Sequence, residues 1–244
     1  GQAQVIGRYA AESIMSQLAD EAGFDQLDFR LKNAYRNGDV TCNGSHISDF
    51  NFLGALEKVG KEIGWEQFKK EKPAWRGIGF GAMMHAEGSS RFSGYTSSAA
   101  VVKVTEDATI TIVHGGTEIG QGIDTVCAQI AGEVLGIPME DITVAVEDTE
   151  YTLLEAGMYA SRGTVYAGGA VQAAAEDARR QLADVAAGMI KVPVEHVEFK
   201  NRRVFDKNNP TKGFSLQDVV RKAYYDIGKP VYGRGSWSAP RIDF

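Results

Sequence analysis

Apolar residues in the first third of the chain recur at the three- and four-residue spacing of amphipathic helices. In the first such stretch the apolar side chains are Ile6, Tyr9, Ile14 and Leu18, which share one face of a helix. The same spacing predicts helices over residues 5–22, 25–35 and 50–63, followed by a charged connector over 66–72. We therefore expect residues 1–72 to form a helical N-terminal segment.

Beyond Pro73 the spacing of apolar residues shifts toward two, which is the period of a β-strand. Residues 98–105 and 108–113 alternate in this way about Glu106 and Asp107, which predicts a hairpin. Further strands are predicted over 76–87, 142–146, 194–199, 203–205 and 230–237, and helices over 123–135, 164–189 and 215–225. Strands and helices interleaved in this order indicate an α/β (α+β) fold with helices packed on mixed sheets.

A glycine-rich loop, residues 115–122, joins a predicted strand to a predicted helix. Glycine has no β-carbon, so backbone N–H groups can approach a ligand closely, and the start of the following helix attracts anions. Gln121 adds an amide that can donate and accept at once. The loop lacks both the G-x-G-x-x-G spacing of a dinucleotide-binding motif and the lysine of a P-loop. On the glycine pattern alone, a tight turn and a phosphate cradle both stay open.

A second loop, residues 160–164, stands before another predicted helix. Ser161 can serve as the N-cap of that helix. Arg162 is harder to explain locally, because a cation in the first turn opposes the helix dipole unless an anion offsets it. We therefore favour an anion-binding role here and expect the two loops to hold one phosphate-bearing cofactor between them.

Composition narrows the classes of function. The net charge of -6 provides no basic surface for nucleic acid. The two cysteines, Cys42 and Cys127, are far apart in sequence, which argues against a disulfide scaffold and against a zinc or iron–sulfur site. No apolar run has membrane-spanning length and the first residues do not have the pattern of a signal peptide. We expect a cytoplasmic protein with neither nucleic-acid nor membrane partners.

Side chains with catalytic or metal-binding chemistry do not form a recognisable motif. Four histidines are scattered along the chain, at His46, His85, His114 and His196. The order of residues suggests neither a Ser-His-Asp nor a Cys-His pairing. We predict no catalytic residue and no metal ligand from this chain alone.

At the two loops the sequence resembles the molybdopterin-binding large subunit of the xanthine oxidase family of molybdenum hydroxylases. The family segment G-G-x-E-x-G-Q-G-x-x-T is matched by residues 115–125, and the later A-S-x-x-T or S-R-x-T segment by residues 160–164. The L-G-I-P of residues 135–138 also fits, and the resemblance covers essentially the whole chain. Within the family, R-G-I-G-F at 76–80 and Y-A-S-R-G-T at 159–164 look most like the branch of the 4-hydroxybenzoyl-CoA reductase alpha subunits.

The resemblance implies a cofactor, a set of contacts and partners. Residues 73–244 would be a molybdopterin-cofactor-binding domain, incomplete at both ends, and the cofactor would be molybdopterin cytosine dinucleotide with molybdenum. Iron–sulfur clusters and FAD would lie on partner subunits or domains, and the substrate would be aromatic, such as an aromatic acyl-CoA. The xanthine, aldehyde, nicotinate and carbon monoxide dehydrogenase branches are the alternatives. By resemblance, the residues that contact the pterin and its molybdenum end are Gly120, Gln121 and Gly122, and those that hold phosphate and pterin are Ser161, Arg162, Gly163 and Thr164.

Two residues that the family uses for catalysis have no counterpart here. Only the last glycine of the family's R-G-x-G segment could correspond to Gly1, and the glutamate of its G-x-G-E segment is not found before Phe244. The resemblance therefore implies a middle fragment of the large subunit that is inactive alone and free of cofactor, with the rest of that subunit among its partners. The alternative is a separately encoded, non-catalytic segment that completes a split subunit.

Overall fold

The computed structural model describes residues 4–42, 44, 46–48, 51–83, 97–145 and 147–238. The chain forms two compact units, whose described residues lie within 4–83 and 97–238. The functional division at residue 72 stays a prediction.

The first unit is helical, with α1 (Gln4–Glu21), α2 (Gln26–Asn33), α3 (Phe52–Glu62) and α4 (Trp65–Glu71). The first three confirm the helices predicted from apolar spacing. Asp25 is the N-cap of α2, and its carboxylate accepts hydrogen bonds from the backbone N–H of Leu27 at 2.9 Å and from the Trp65 indole at 2.9 Å. It also forms an ion pair with Lys69 at 2.9 Å. One carboxylate thereby joins the start of α2 to α4.

Two predictions for this unit are wrong. The charged connector over 66–72 is the helix α4, because buried Trp65 anchors it in a cluster with Leu27 and Leu56. The glycine-broken strand over 76–87 is not a strand in its described part, residues 76–83. Here the apolar residues that alternate with glycine, such as Ile78 and Phe80, pack against that helical cluster instead of a neighbouring strand.

The second unit is built on a four-stranded sheet in the order β3-β2-β1-β7. The strands are β1 (Ser97–Val104), β2 (Ile110–His114), β3 (Ile142–Val144) and β7 (Tyr232–Ser238). β2 and β7 each pair with β1 in antiparallel register, whereas β3 runs parallel to β2. The predicted hairpin of β1 and β2 and the predicted last strand are confirmed.

The helices α5 (Ile123–Leu135) and α6 (Gly168–Ile190) pack on this sheet. α6 lies unusually close to β7, because the strand presents glycines to the alanines of the helix. A β-carbon built on Gly235 would lie 2.2 Å from the backbone nitrogen of Ala174 and 2.4 Å from the carbonyl oxygen of Ala170. The small residues of this helix and strand thus allow the two backbones to approach closely.

A three-stranded antiparallel sheet in the order β4-β5-β6 completes the unit. Its strands are β4 (Val197–Lys200), β5 (Arg203–Asp206) and β6 (Asn209–Ser215), and α7 (Leu216–Arg221) follows. Ser215 caps α7 through a 3.0 Å hydrogen bond from the backbone N–H of Asp218. The sequence did not predict β6, because its exposed N-P-T-K-G-F-S composition is typical of a turn. The predicted mixed α/β fold is confirmed.

Candidate functional site

The first loop runs from His114, the last residue of β2, to the start of α5. Its glycines Gly120 and Gly122 have φ angles of +94° and +81°, which residues with a β-carbon rarely adopt. A β-carbon built on either would meet no atom within 4 Å. Backbone geometry therefore explains these two glycines, and the space beside them is open to a ligand.

The carboxylate of Glu118 lies at the start of α5. Oε1 accepts hydrogen bonds from the N–H groups of Gly120 at 2.7 Å and Gly122 at 3.1 Å, and Oε2 lies 3.5 Å from the nitrogen of Asp124. Hydrogen bonds from the backbone, that of Gly122 foremost, hold the pKa of Glu118 below its ordinary value. The N–H groups expected to cradle a phosphate therefore already have an acceptor within the loop. The sequence feature that indicates this contact is a glutamate four residues before a glycine at the N-cap position.

The side chain of Gln121 also closes the loop on itself. Its Oε1 accepts from the N–H of Ile119 at 2.7 Å, and its Nε2 donates to the carbonyl of Thr117 at 2.9 Å. The residue is exposed. The side chain that the resemblance assigns to the cofactor is therefore accessible and held in a defined orientation.

The second loop contains two consecutive left-handed residues that are not glycine, Ala160 with φ +50° and Ser161 with φ +57°. A π-helical turn, Gly163–Ala167, follows and leads directly into α6. The interpretation of Ser161 as an N-cap is wrong, because an N-cap has an extended backbone and the position falls on Arg162, without a side-chain cap. Left-handed residues of this kind are strained, and such strain is concentrated at functional sites.

Arg162 is fully buried, with 0% of its surface exposed. Its Nη2 lies 2.8 Å from Oε1 of Glu155, within ion-pair distance but out of line for a hydrogen bond. The guanidinium carbon also lies 4.3 Å from the ring centroid of Tyr166, as in a cation–π contact. Glu155 in turn accepts hydrogen bonds from Ser98 on β1 and from the N–H of Ala156. The anion that Arg162 was expected to require is thus an internal carboxylate, which ties the second loop to the sheet.

The structure brings the two loops together. A β-carbon built on Gly163 would lie 3.4 Å from Cδ1 of Ile123, the first residue of α5, and 3.4 Å from the sulfur of Met158. The Cε of the same methionine would lie 3.3 Å from a β-carbon on Gly116 of the first loop. The two helix starts are therefore neighbours, as the paired loops predicted.

The seven predicted site residues divide by exposure. Exposed are Gly120, Gln121, Ser161 and Thr164; half-buried are Gly122 and Gly163; buried is Arg162. Six of the seven are thus at least partly exposed, whereas Arg162 is buried. Their contact with a cofactor stays a prediction.

Beneath the first loop, His114 is 1% exposed and lies beside the partly exposed Asp124. Its Nδ1 accepts from the N–H of Gly116 at 3.0 Å, and its Nε2 lies 3.5 Å from Oδ1 of Asp124. Burial lowers the pKa of His114, whereas burial and the neighbouring Glu147 raise the pKa of Asp124. Within the described ranges, no three or more His, Cys, Asp or Glu side chains are grouped to hold a metal ion.

A cavity of about 760 Å³ lies at the other end of α5, beside Gly136 and Phe199. Its arginines are paired: Arg179 contacts Glu198 at 3.1 Å and Arg202 contacts Asp141 at 2.5 Å. Both arginines therefore already have protein carboxylates as partners, and the cavity lies at the opposite end of α5 from the two loops.

In this mixed α/β unit two loops and the helix starts that follow them are neighbours, and helix starts of this kind often bind anionic cofactors. Residues 58–243 match the sequence family described as the molybdopterin cofactor-binding domain, and the chain belongs to that family. The predicted resemblance to xanthine oxidase-family molybdenum hydroxylases is confirmed at this level. The narrower resemblance to 4-hydroxybenzoyl-CoA reductase stays a prediction.

Individual relatives agree with the family. The chain is 30% identical to the xanthine dehydrogenase molybdenum-binding subunit of Escherichia coli O157:H7, over 92% of this chain and 31% of that protein. It is 27% identical to the nicotine 6-hydroxylase large subunit of Paenarthrobacter nicotinovorans, over 94% of this chain and 30% of that protein. The chain thus spans about a third of the length of these curated relatives.

Solved structures show the same fold. Quinoline 2-oxidoreductase from Pseudomonas putida 86 aligns with a TM-score of 0.70 and 22% identity, over 95% of this chain and 32% of that one. Carbon monoxide dehydrogenase from Oligotropha carboxidovorans aligns with a TM-score of 0.70 and 24% identity, over 96% of this chain and 32% of that one.

Within the described residues of this chain, no helix has the length and apolar character needed to cross a bilayer.

Proposed function

We propose that this chain is the part of a molybdenum-dependent oxidoreductase that binds the pterin of the molybdenum cofactor. The observation that supports this most is the meeting of the two loops, with Gly163 packed on the first residue of α5. Both loops expose backbone and small polar side chains at that place. A pterin is flat and rich in donors and acceptors, and a surface without β-carbons lets backbone groups reach such a ligand.

The residues present fit this cofactor. Gly120 and Gly122 leave open space beside the backbone, and the exposed amide of Gln121 can exchange its internal hydrogen bonds for bonds to a pterin. On the second loop, Ser161 and Thr164 offer exposed hydroxyls next to a helix start without a side-chain cap. We assign the phosphate to this second start, because the N–H groups of a helix start that no side chain caps favour an anion.

In this proposal Arg162 supports the site from the interior. Its ion pair with Glu155 holds the second loop on β1, and its positive charge stays close to the surface where the phosphate would bind. Bound molybdenum would supply two-electron redox chemistry, which amino-acid side chains cannot provide. This chain's residues would bind and orient the cofactor.

We extend the proposal to the form of the cofactor, the partners and the substrate. The cofactor would be molybdopterin cytosine dinucleotide, electrons would pass to iron–sulfur and flavin subunits or domains, and the chain alone would be inactive. The names of the relatives, which act on xanthine, nicotine and quinoline, favour an aromatic substrate. The narrower proposal of an aromatic acyl-CoA as substrate is supported only by the sequence segments at 76–80 and 159–164. A separately encoded segment of a split subunit is not favoured, because these relatives carry the matching residues within one longer polypeptide.

The test is the composition of the purified full-length polypeptide that contains this chain. We expect equimolar molybdenum and pterin by elemental analysis and by fluorescence of the oxidised pterin. Acid hydrolysis should release cytidine monophosphate if the dinucleotide form is correct. Pterin without any nucleotide would contradict only the dinucleotide form, whereas absence of both molybdenum and pterin from a protein expressed with molybdate would contradict the proposed function.

A further inference from the structure

We propose that Glu118 is a positioning residue that holds the turn of Gly120, Gln121 and Gly122 in the shape that receives the cofactor. This inference rests on the proposed function. The protein thereby supplies its own anion at the start of α5, and the first loop has its shape before any ligand binds. The phosphate is then directed to the second loop.

Several backbone N–H groups converge on the carboxylate of Glu118. The N–H groups of Gly120 and Gly122 donate to Oε1 of Glu118 at 2.7 and 3.1 Å, and the nitrogen of Asp124 lies 3.5 Å from Oε2. Gly122 is the N-cap position of α5 but has no side chain with which to cap it. Glu118, four residues earlier, therefore does what an N-cap side chain would otherwise do.

The backbone that this carboxylate holds is that of two glycines. Both glycines that donate to it have left-handed φ angles, and glycine gains much conformational freedom when it is released. Hydrogen bonds to a charged acceptor are about twice as strong as neutral ones. A single side chain thus fixes two left-handed glycines of the loop and, between them, Gln121.

Glu118 lies close to other acidic side chains. Its own N–H donates to Oε1 of Glu147 at 3.0 Å, and the nearby Asp124 is a second acid. No salt bridge to Glu118 is found within the described residues, so the helix start is what offsets its charge. A phosphate brought to the same N–H groups would meet three carboxylates. The second helix start, which has no side-chain cap and lies near the buried cation Arg162, is the better place for it.

The experiment compares Glu118→Ala, Glu118→Gln and the control Glu133→Ala in the full-length protein. Glu133 is an exposed residue on the same helix, away from its start. We expect Glu118→Ala to retain about 10- to 100-fold less molybdenum and pterin after dialysis, since it loses hydrogen bonds to a charged group. Glu118→Gln keeps one acceptor oxygen and should retain an intermediate amount, and Glu133→Ala should match the unmodified protein.

Chemical rescue separates a positioning role from general loss of structure. Formate or acetate added during reconstitution should occupy the space left in Glu118→Ala, accept from the freed N–H groups and restore cofactor retention. Retention at the unmodified level in Glu118→Ala would overturn the inference. So would a loss that neither glutamine nor formate restores. If the unmodified protein itself holds neither molybdenum nor pterin, the proposed function has failed instead.

Discussion

Replacing Arg162 by alanine is expected to lower the free energy of unfolding of the second unit by about 3–5 kcal/mol, because it leaves a charge buried without its partner. Glu155, with 3% of its side chain exposed, would keep its carboxylate in the interior. The packing of the guanidinium on Tyr166 would be lost as well. The measurement is hydrogen exchange of the α6 amides, which reports on the second unit alone.

The control for this prediction is the double replacement Glu155→Gln with Arg162→Met, which removes both charges and keeps much of the volume. It should recover a large part of the loss, since a buried ion pair is often no better than neutral groups of similar size. A cost below about 1 kcal/mol for Arg162→Ala would instead indicate a solvent-exposed pair. That result would contradict the role given to Arg162 beneath the second loop.

Replacing Gly235 by alanine should cost about 1–3 kcal/mol, at the upper end of that range, because the interior cannot accept the added atom without moving the backbone. The new β-carbon would lie 2.2 Å from the nitrogen of Ala174 and 2.4 Å from the carbonyl oxygen of Ala170. Side chains can rotate away from a clash, but the backbone of α6 can only shift as a whole. Since α6 continues from the second loop, we expect the shift to disturb the candidate site too.

Gly188→Ala is the matched control on α6 itself. A β-carbon at this exposed glycine meets no atom within 4 Å, and alanine is favoured over glycine in a helix interior by about 0.5–1 kcal/mol. Urea denaturation followed by circular dichroism should therefore show opposite signs for the two replacements. Equal effects would mean that α6 does not lie as close to β7 as described.

Many helix and strand bounds of the second unit could be predicted because neighbouring residues in the sequence determine them. Gly136 ends α5 with a φ of +67° and Ser215 caps α7, and both are residue choices that a single turn of chain determines. The alternation of apolar and polar residues likewise predicted β1 and β2. The strand β6 was not predicted, because pairing with β5 forms it despite a polar, glycine- and proline-containing sequence.

The candidate site was predicted at the level of loops but not of contacts. The position of Arg162 before a helix predicts an anion beside it, but the sequence does not distinguish a ligand from Glu155, seven residues earlier. The same holds for Glu118, whose carboxylate reaches a helix start only through two left-handed glycines. Both contacts depend on the three-dimensional course of a loop, which residue spacing alone does not determine.

The central claim is that the two loops hold one cofactor between them. Its most direct test is the molybdenum and pterin content of the full-length protein carrying Gln121→Ala or Thr164→Val, one exposed residue from each loop. The matched controls are Gln129→Ala and Thr143→Val, which replace exposed residues away from the loops. Each loop variant should fold as the unmodified protein does and lose molybdenum and pterin together, by about tenfold for a lost hydrogen bond in a buried contact, while the controls keep both. Unchanged content in both loop variants would contradict the account.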